Sequence, residues 1–151
     1  MKFFTKPFSA LALMAGILSM FCFSCKSQEY VAERPQIQFG TGGGFTGWVT
    51  TYYLMDNGQL YVKKHESETY DSVKKVDKAT VKGIFDFIDT NQLGKKNFRQ
   101  PDNMYQFVAF QLEKNPGEPP IRVVWSEGNK LIDQNMETLY KMLNDLTQIT
   151  E

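Results

Sequence analysis

Apolar residues recur along two segments at the spacing of an amphipathic helix. They are Val81, Ile84, Phe85 and Ile88 in the first segment, and Met136, Leu139, Tyr140, Leu143 and Leu146 in the second. Steps of three and four residues place these side chains on one face of a helix. Asp77 and Asp133 precede the two segments where a capping carboxylate is expected, and Leu93 with Gly94 is predicted to end the first helix.

A run of β-branched and aromatic residues predicts a strand over residues 48–56 (WVTTYYLMD). Asn57-Gly58 follows this strand and is typical of a two-residue hairpin turn. Residues 59–64 are therefore predicted to return as the partner strand.

The predicted turn also determines which side chains of the hairpin share a face. It places Met55 opposite Leu60 and Tyr53 opposite Val62. The two faces are then Val49, Tyr53, Met55, Leu60 and Val62 on one side, and Trp48, Thr50, Tyr52, Leu54 and Tyr61 on the other. Both faces are apolar, so we expect one to pack against the helices and the other to be a candidate contact surface.

Shorter patterns complete the fold class. Further strands are predicted over 36–39, 104–112 and 121–125, an irregular stretch or ragged strand over 65–75, a loop over 95–103, and turns over 115–120 and 126–130. The predicted order is β-β-β-α-β-β-α. Hairpins followed by helices indicate a two-layer α+β domain, with an antiparallel sheet and two helices on one face. We assign this single domain to residues 36–151.

Residues 1–24 have the organisation of a bacterial signal peptide. Lys2 and Lys6 come first, and an uncharged apolar run over residues 8–23 follows, which is short for a membrane-spanning helix. The run ends at Ser24-Cys25, which resembles the cleavage site of bacterial lipoproteins. The resemblance implies removal of residues 1–24 and acylation of Cys25 with fatty acids such as palmitate.

A polar segment over residues 25–35 is predicted to be a tether between the lipid and the domain. Lys26 stands where an aspartate marks inner-membrane retention in enteric bacteria, so the resemblance favours the outer membrane. The sequence leaves open whether the domain faces the periplasm or the outside. A soluble secreted protein and an uncleaved membrane anchor are the alternatives.

Composition narrows the possible chemistry. The chain has 17 Lys and Arg, 17 Asp and Glu, one His and two Cys among 151 residues. Neutral charge argues against nucleic-acid binding, one histidine cannot form a multi-histidine metal site, and two cysteines cannot form a disulfide framework. We therefore predict no metal and no cofactor. The expected partners are the membrane, reached through Cys25, and a protein of the cell envelope.

Catalytic motifs are sparse. His65 lies beside Glu66 and Glu68 without a third ligand at metal-binding spacing, and no G-x-S-x-G elbow is present to pair with it. Asp86 and Asp89 lie three residues apart on the first predicted helix and are interpreted as surface charge. We predict a non-enzymatic protein, with a small carboxylate-based envelope hydrolase as an alternative.

Residues 42–47 (GGGFTG) match the G-x-G-x-x-G pattern of dinucleotide sites. A strand rather than a helix is predicted to follow, and Trp48 stands where a phosphate-binding loop requires lysine. Two interpretations remain, a tight glycine turn or a recognition loop that presents aromatic side chains. The candidate partner-binding residues are Gly43, Gly44, Phe45, Thr46, Gly47 and Trp48. Residues 98–103 (FRQPDN) are either a structural connection or a second loop at the same end of the sheet.

The GGGFTG motif, followed by Y-x-L-x-x-N-G-x-L over residues 52–60, resembles small uncharacterised Bacteroidota lipoproteins. Residues 43–47 and the element order also resemble emfourin-type inhibitors of thermolysin-like metallopeptidases. This chain differs from those inhibitors by its lipoprotein signal and by residues 65–75 and 98–103. The first resemblance implies an outer-membrane lipoprotein, which we predict to be a binding or interaction module. The second implies peptidase inhibition as the alternative.

Overall fold

The computed structural model describes residues 29–112, 119–126, 128 and 133–148, and within these ranges the protein is an α+β domain, as predicted. The strands are β1 (Gln36–Gly43), β2 (Trp48–Met55), β3 (Gln59–Lys63), β4 (Asp71–Lys75), β5 (Phe98–Gln100), β6 (Met104–Gln111) and β7 (Ile121–Ser126). The helices are α1 (Lys78–Thr90) and α2 (Gln134–Asp145), with a 3-10 turn at Leu93–Lys95. The strands form one sheet in the order β4-β3-β2-β1-β6-β7-β5, which is mixed rather than antiparallel as predicted, because β5, in the segment predicted as a loop, pairs in parallel with β7.

The hydrophobic core lies against one face of this sheet. Ile37 and Phe39 of β1 are paired in register with Phe110 and Val108 of β6, and all four are at most 3% exposed. Since alternate residues of a strand share a face, these side chains point to the same side of the sheet. Helix residues join the same cluster: Val81, Ile84 and Ile88 of α1, and Met136, Leu139 and Leu143 of α2. Within the described part of the chain, no helix is both long and apolar enough to cross a bilayer.

Both predicted helix starts are confirmed. The Asp77 carboxylate accepts a hydrogen bond from the Thr80 backbone N–H at 2.9 Å, and the Asp133 carboxylate accepts one from the Asn135 N–H at 2.8 Å. These bonds satisfy backbone donors that have no partner within the helix.

The predicted end of α1 is wrong. The helix stops at Thr90, and the left-handed residue beyond it is Gln92, with φ 51°, rather than Gly94. Gly94 serves packing instead, because a Cβ there would lie 2.6 Å from the Leu112 side chain.

The predicted hairpin register is wrong by one residue. Leu54 pairs with Leu60 and Tyr53 pairs with Tyr61. The turn contains one more residue than expected, since Gly58, in a left-handed conformation with φ 86°, donates its N–H to the Met55 carbonyl at 2.9 Å. A one-residue slip moves each side chain of β3 to the other face, so Leu60 enters the core and Tyr61 joins Tyr53 on the opposite face.

The strand count also differs from the prediction. The chain has four strands before α1 and three after it, because residues 71–75 and 98–100 each form an edge strand. The strand predicted over 36–39 continues to Gly43, which leaves residues 44–47 as the β1–β2 turn.

Candidate functional site

The most exposed large apolar side chains of the described part of the chain include three at one end of the sheet. Phe45, in the β1–β2 turn, is fully exposed; Trp48, the first residue of β2, is 66% exposed; and Met104, the first residue of β6, is 45% exposed. Trp48 and Met104 both pair with Gly43, from opposite sides of β1. We call Phe45, Trp48 and Met104 the tip surface.

The glycines before the tip surface are explained by close approaches. A Cβ on Gly42 would lie 2.5 Å from the Tyr105 hydroxyl, and one on Gly40 would lie 2.0 Å from the Thr50 carbonyl oxygen and 3.3 Å from the Phe107 ring. Residues of both neighbouring strands, β2 and β6, therefore lie across the glycine positions of β1. These contacts support the structural interpretation of the glycine run, and they explain why β1 continues through glycines that suggest a loop.

Left-handed glycines shape the turn itself. Gly43, Gly44 and Gly47 have φ values of 105°, 73° and 65°, which side chains disfavour. The Gly47 N–H donates to the Gly44 carbonyl at 3.1 Å and closes the turn. Phe45 and Thr46 lie between these glycines and project into solvent. The turn thus has a hydrogen-bonded glycine backbone, and its two side chains, Phe45 and Thr46, are exposed.

The 98–103 segment lies at the same end of the sheet as the glycine turn. The Gly44 N–H donates to the Asn103 carbonyl at 2.6 Å, which joins the two turns directly. Phe98 packs against the core from β5, so the segment also serves as a structural connection. Both interpretations of this segment therefore describe part of its geometry.

His65 contributes an aromatic ring to the edge of the tip surface. Its ring and that of Trp48 are nearly parallel, at 19°, with centroids 6.3 Å apart. The His65 Nε2 is 3.6 Å from a Glu66 carboxylate oxygen. No group of three or more His, Cys, Asp or Glu side chains suited to a metal occurs among residues 29–112, 119–126, 128 and 133–148.

The two aspartates on α1 lie away from the tip surface. Asp86 is exposed and forms an ion pair with Lys82, one helical turn earlier. Asp89 lies at a cavity of about 500 Å³ at the opposite end of the sheet, between α1 and β7. Asp89 supplies the single carboxylate among the described residues of that lining, together with Lys95 and the apolar side chains of Ile88, Phe110 and Leu112.

A cluster of four tyrosines is a feature that the sequence prediction missed. The Tyr30 ring stacks on the Tyr70 ring, with a centroid distance of 3.7 Å and an interplanar angle of 11°. Tyr53 and Tyr61 make edge-to-face contacts with the Tyr30 ring at centroid distances of 5.3 and 5.6 Å. Lys63 Nζ lies 5.0 Å from the Tyr70 ring centre. Burial raises the pKa of Tyr30 and Tyr61 and raises the pKa of Tyr53 to about 12, so these three phenols are neutral at physiological pH.

The tyrosine cluster holds the last part of the predicted tether on the sheet. We call residues 29–35 the strap. The Ala32 carbonyl accepts hydrogen bonds from the side-chain amides of Gln36, at 3.0 Å, and Gln111, at 2.8 Å, and the Pro35 carbonyl accepts one from the Asp56 N–H at 3.0 Å. In the sequence, the signal for this docking is an aromatic residue, Tyr30, within an otherwise polar segment.

The predicted lipid site, Cys25, and the predicted signal peptide over residues 1–24 lie outside the described residues. Comparison with protein-family models gave no match to this chain, and comparison with curated protein sequences gave none either.

Proposed function

We propose that this protein is a non-enzymatic binding module, attached to the outer membrane through lipid on Cys25, that contacts an envelope protein through its tip surface. The proposed architecture is a two-layer domain with both helices on one face of the sheet. The observation that carries the proposal is the full exposure of Phe45 beside a Trp48 that is 66% exposed. Exposed aromatic side chains at one place are typical of interface anchors.

The backbone beneath the tip surface supports binding at low entropic cost. A glycine-rich turn loses much conformational freedom on binding when it is unrestrained. Here Gly44 is held by Asn103, and Gly47 is held by Gly44, in bonds of 2.6 and 3.1 Å. The partner would therefore meet an aromatic turn whose backbone is already ordered.

The position of the tip surface also suits a membrane-anchored binding protein. β1 begins at Gln36, next to the strap, and reaches the turn at Gly43, which is about 23 Å further along an extended strand. The tip surface thus lies at the end of β1 remote from the point where the chain enters the sheet.

The proposal is tested by replacing the anchors and following one partner quantitatively. Photo-crosslinking groups placed at position 45 of the full-length protein in cells identify the partner. Recovery of that partner is then measured with Phe45→Ala/Trp48→Ala beside Ile121→Ala, because Ile121 is 42% exposed at the other end of the sheet. We expect recovery to fall at least tenfold with the tip variant and to stay within twofold with the control. Equal recovery with both variants would contradict the proposal.

A second candidate function is inhibition of a thermolysin-like metallopeptidase. It is favoured by the same Phe45, since a fully exposed apolar side chain on a tight turn has the shape that a peptidase substrate pocket accepts. The test is titration of such a peptidase with the protein. Inhibition by the wild-type chain that is lost in Phe45→Ala, but kept in Ile121→Ala, would support this function. No inhibition at equimolar or higher concentration would refute it.

A further inference from the structure

Residues 29–35 divide the connection between the predicted lipid site and the domain into two parts. Five residue steps separate Cys25 from Tyr30, whereas eleven separate Cys25 from Gln36, where β1 begins. An extended chain spans about 3.5 Å per step, so these lengths correspond to about 17 Å and about 38 Å. The docked strap therefore shortens the greatest possible span between Cys25 and the domain by more than half.

The strap is held by one aromatic side chain and by a few polar contacts, which include the hydrogen bonds to the Ala32 and Pro35 carbonyls. One side chain, that of Tyr30, enters the tyrosine cluster, and it donates a hydrogen bond to the Gln36 side chain at 3.1 Å. Arg34, near the other end of the strap, forms an ion pair with Asp56 at 2.9 Å, in which both side chains are more than a third exposed. Exposed ion pairs contribute little to stability.

Segments with few buried apolar contacts open locally while the remainder of a domain stays folded. The core cluster contains no residue of the strap, so opening the strap leaves Ile37, Phe39 and the helices packed. The tyrosines on the sheet side, Tyr53 and Tyr61, belong to neighbouring strands that pair through the β2–β3 register. They remain in place as a preformed binding site for Tyr30 when the strap leaves.

We propose that residues 29–35 are a releasable strap that sets the reach of the tip surface from the membrane. With Tyr30 stacked on Tyr70, the chain allows at most about 17 Å between the lipid site and the docked strap; with Tyr30 released, it allows at most about 38 Å between the lipid site and β1. The inference rests on the proposed lipid attachment at Cys25. In this proposal the tyrosine cluster binds the protein's own strap and is not a binding site for another molecule.

Proteolysis of the full-length lipidated protein in phosphatidylethanolamine and phosphatidylglycerol vesicles tests the docking. Glutamyl endopeptidase binds extended chain, and the docked turn at Glu33 is closed by the Arg34 N–H bond to the Val31 carbonyl at 3.3 Å, so we expect cleavage after Glu33 to be faster when the strap opens, whereas cleavage after Glu137, within α2, reports global unfolding. We expect Tyr30→Ala to raise the rate after Glu33 at least tenfold and to leave the rate after Glu137 within twofold. Tyr30→Phe, which keeps the ring, should change the first rate less than threefold.

Tyr70→Ala is a second variant, which removes the stacking partner without altering the strap sequence. It should raise the cleavage rate after Glu33 by at least fivefold. Wild-type rates after Glu33 in both Tyr30→Ala and Tyr70→Ala would overturn the proposal, because the strap would then not be held by the cluster.

Energy transfer from a dye on Asp145→Cys to acceptor-labelled lipid headgroups tests the reach in the same vesicles. Tyr30→Ala should lower the transfer efficiency relative to the wild type, and Tyr30→Phe should not. Equal transfer in all three proteins would overturn the role in reach. Failure of the wild-type protein to be recovered with vesicles would instead refute the lipid anchor, and with it the tether role, whereas the cleavage rates would still decide whether the strap is docked.

Discussion

Replacing Gly43 with alanine tests whether the glycine run is required for the fold, because a side chain at Gly43 has no room, whereas one at Gly47 has. Gly43 has φ 105°, and a Cβ there would lie 2.0 Å from the Asn103 carbonyl oxygen. Gly47, four residues later in the same turn, has φ 65° and no atom within 4 Å of its Cβ position. Gly43→Ala thus meets an unfavourable φ and a backbone clash, whereas Gly47→Ala meets an unfavourable φ alone.

The magnitudes follow from these two geometries. A left-handed conformation costs an alanine about 1 kcal/mol relative to glycine, which is the whole expected effect at Gly47. At Gly43 the clash must also push the 101–103 turn away. That movement breaks the 2.6 Å bond from the Gly44 N–H to Asn103, worth about 1 kcal/mol, and loosens the pairing of Gly43 with Met104. We expect a loss of about 3 kcal/mol for Gly43→Ala.

Urea unfolding followed by tryptophan fluorescence measures both variants. With an m value of about 1.5 kcal/mol/M, the midpoint should fall by about 2 M for Gly43→Ala and by about 0.7 M for Gly47→Ala. The difference between the two variants reports the contact with Asn103 together with the less favourable φ at Gly43. If Gly43→Ala were no more destabilising than Gly47→Ala, the close approach of β1 to the 101–103 turn would be refuted.

Three further measurements test the fold and the anchor. Gly83→Ala, in the exposed middle of α1 with nothing within 4 Å of its Cβ position, should raise the free energy of unfolding by about 1 kcal/mol; a loss of stability would contradict an ordinary helical environment. Hydrogen bonds from the Thr80 hydroxyl and from the Thr80 backbone N–H hold the pKa of Asp77 below its usual value, so this carboxylate stabilises the fold above about pH 4, and that contribution is lost as the pH falls through the lowered pKa. Between about pH 5 and pH 2, Asp77→Asn should therefore lose stability less steeply than the wild type, and identical slopes would count against the cap. Labelling of cells with a palmitate analogue should mark the wild type and Cys22→Ala but not Cys25→Ala, and a label retained in Cys25→Ala would place the lipid elsewhere.

Local patterns were sufficient to predict the helices. The apolar spacing of Val81, Ile84 and Ile88, and of Met136 and Leu139, matches the buried faces of α1 and α2. The capping carboxylates are also local, because their partners lie two or three residues away in the chain. Features that depend only on residues within about one helical turn of each other can therefore be predicted from the sequence.

Features that depend on distant residues could not be predicted in the same way. The turn at Gly58 gains a residue because its carbonyl accepts a bond from the Val76 N–H at 2.8 Å, a contact that spans the β3–β4 hairpin. β1 continues through Gly40 because a Cβ there would lie 2.0 Å from the Thr50 carbonyl oxygen of β2 and 3.3 Å from the Phe107 ring of β6. Docking of Tyr30 depends likewise on Tyr70, which lies 40 residues further along the chain.

The candidate site was predicted in part. Exposure of Phe45 and Trp48 follows from their place beside a glycine turn, and the sequence named both residues. Met104 was not named, because its exposure arises from pairing with Gly43, whose missing side chain leaves it uncovered on that side.

The central position of β1 has a consequence for how the chain reaches its folded state. β1 is the first strand of the described part of the chain to be synthesised, yet one of its two neighbours in the sheet is β6. Gln36 of β1 and Gln111 of β6, which lie side by side, are 75 residues apart in the chain. The hairpins of β1, β2 and β3 can form early from local contacts, but β1 keeps an open edge until residues 104–111 arrive. Closing so long a loop is slow, so a newly synthesised chain passes through an interval in which its future centre is a sheet edge. The glycines that later accommodate Tyr105 and Phe107 weaken that edge as a template for other chains, and thus protect the protein before it is complete.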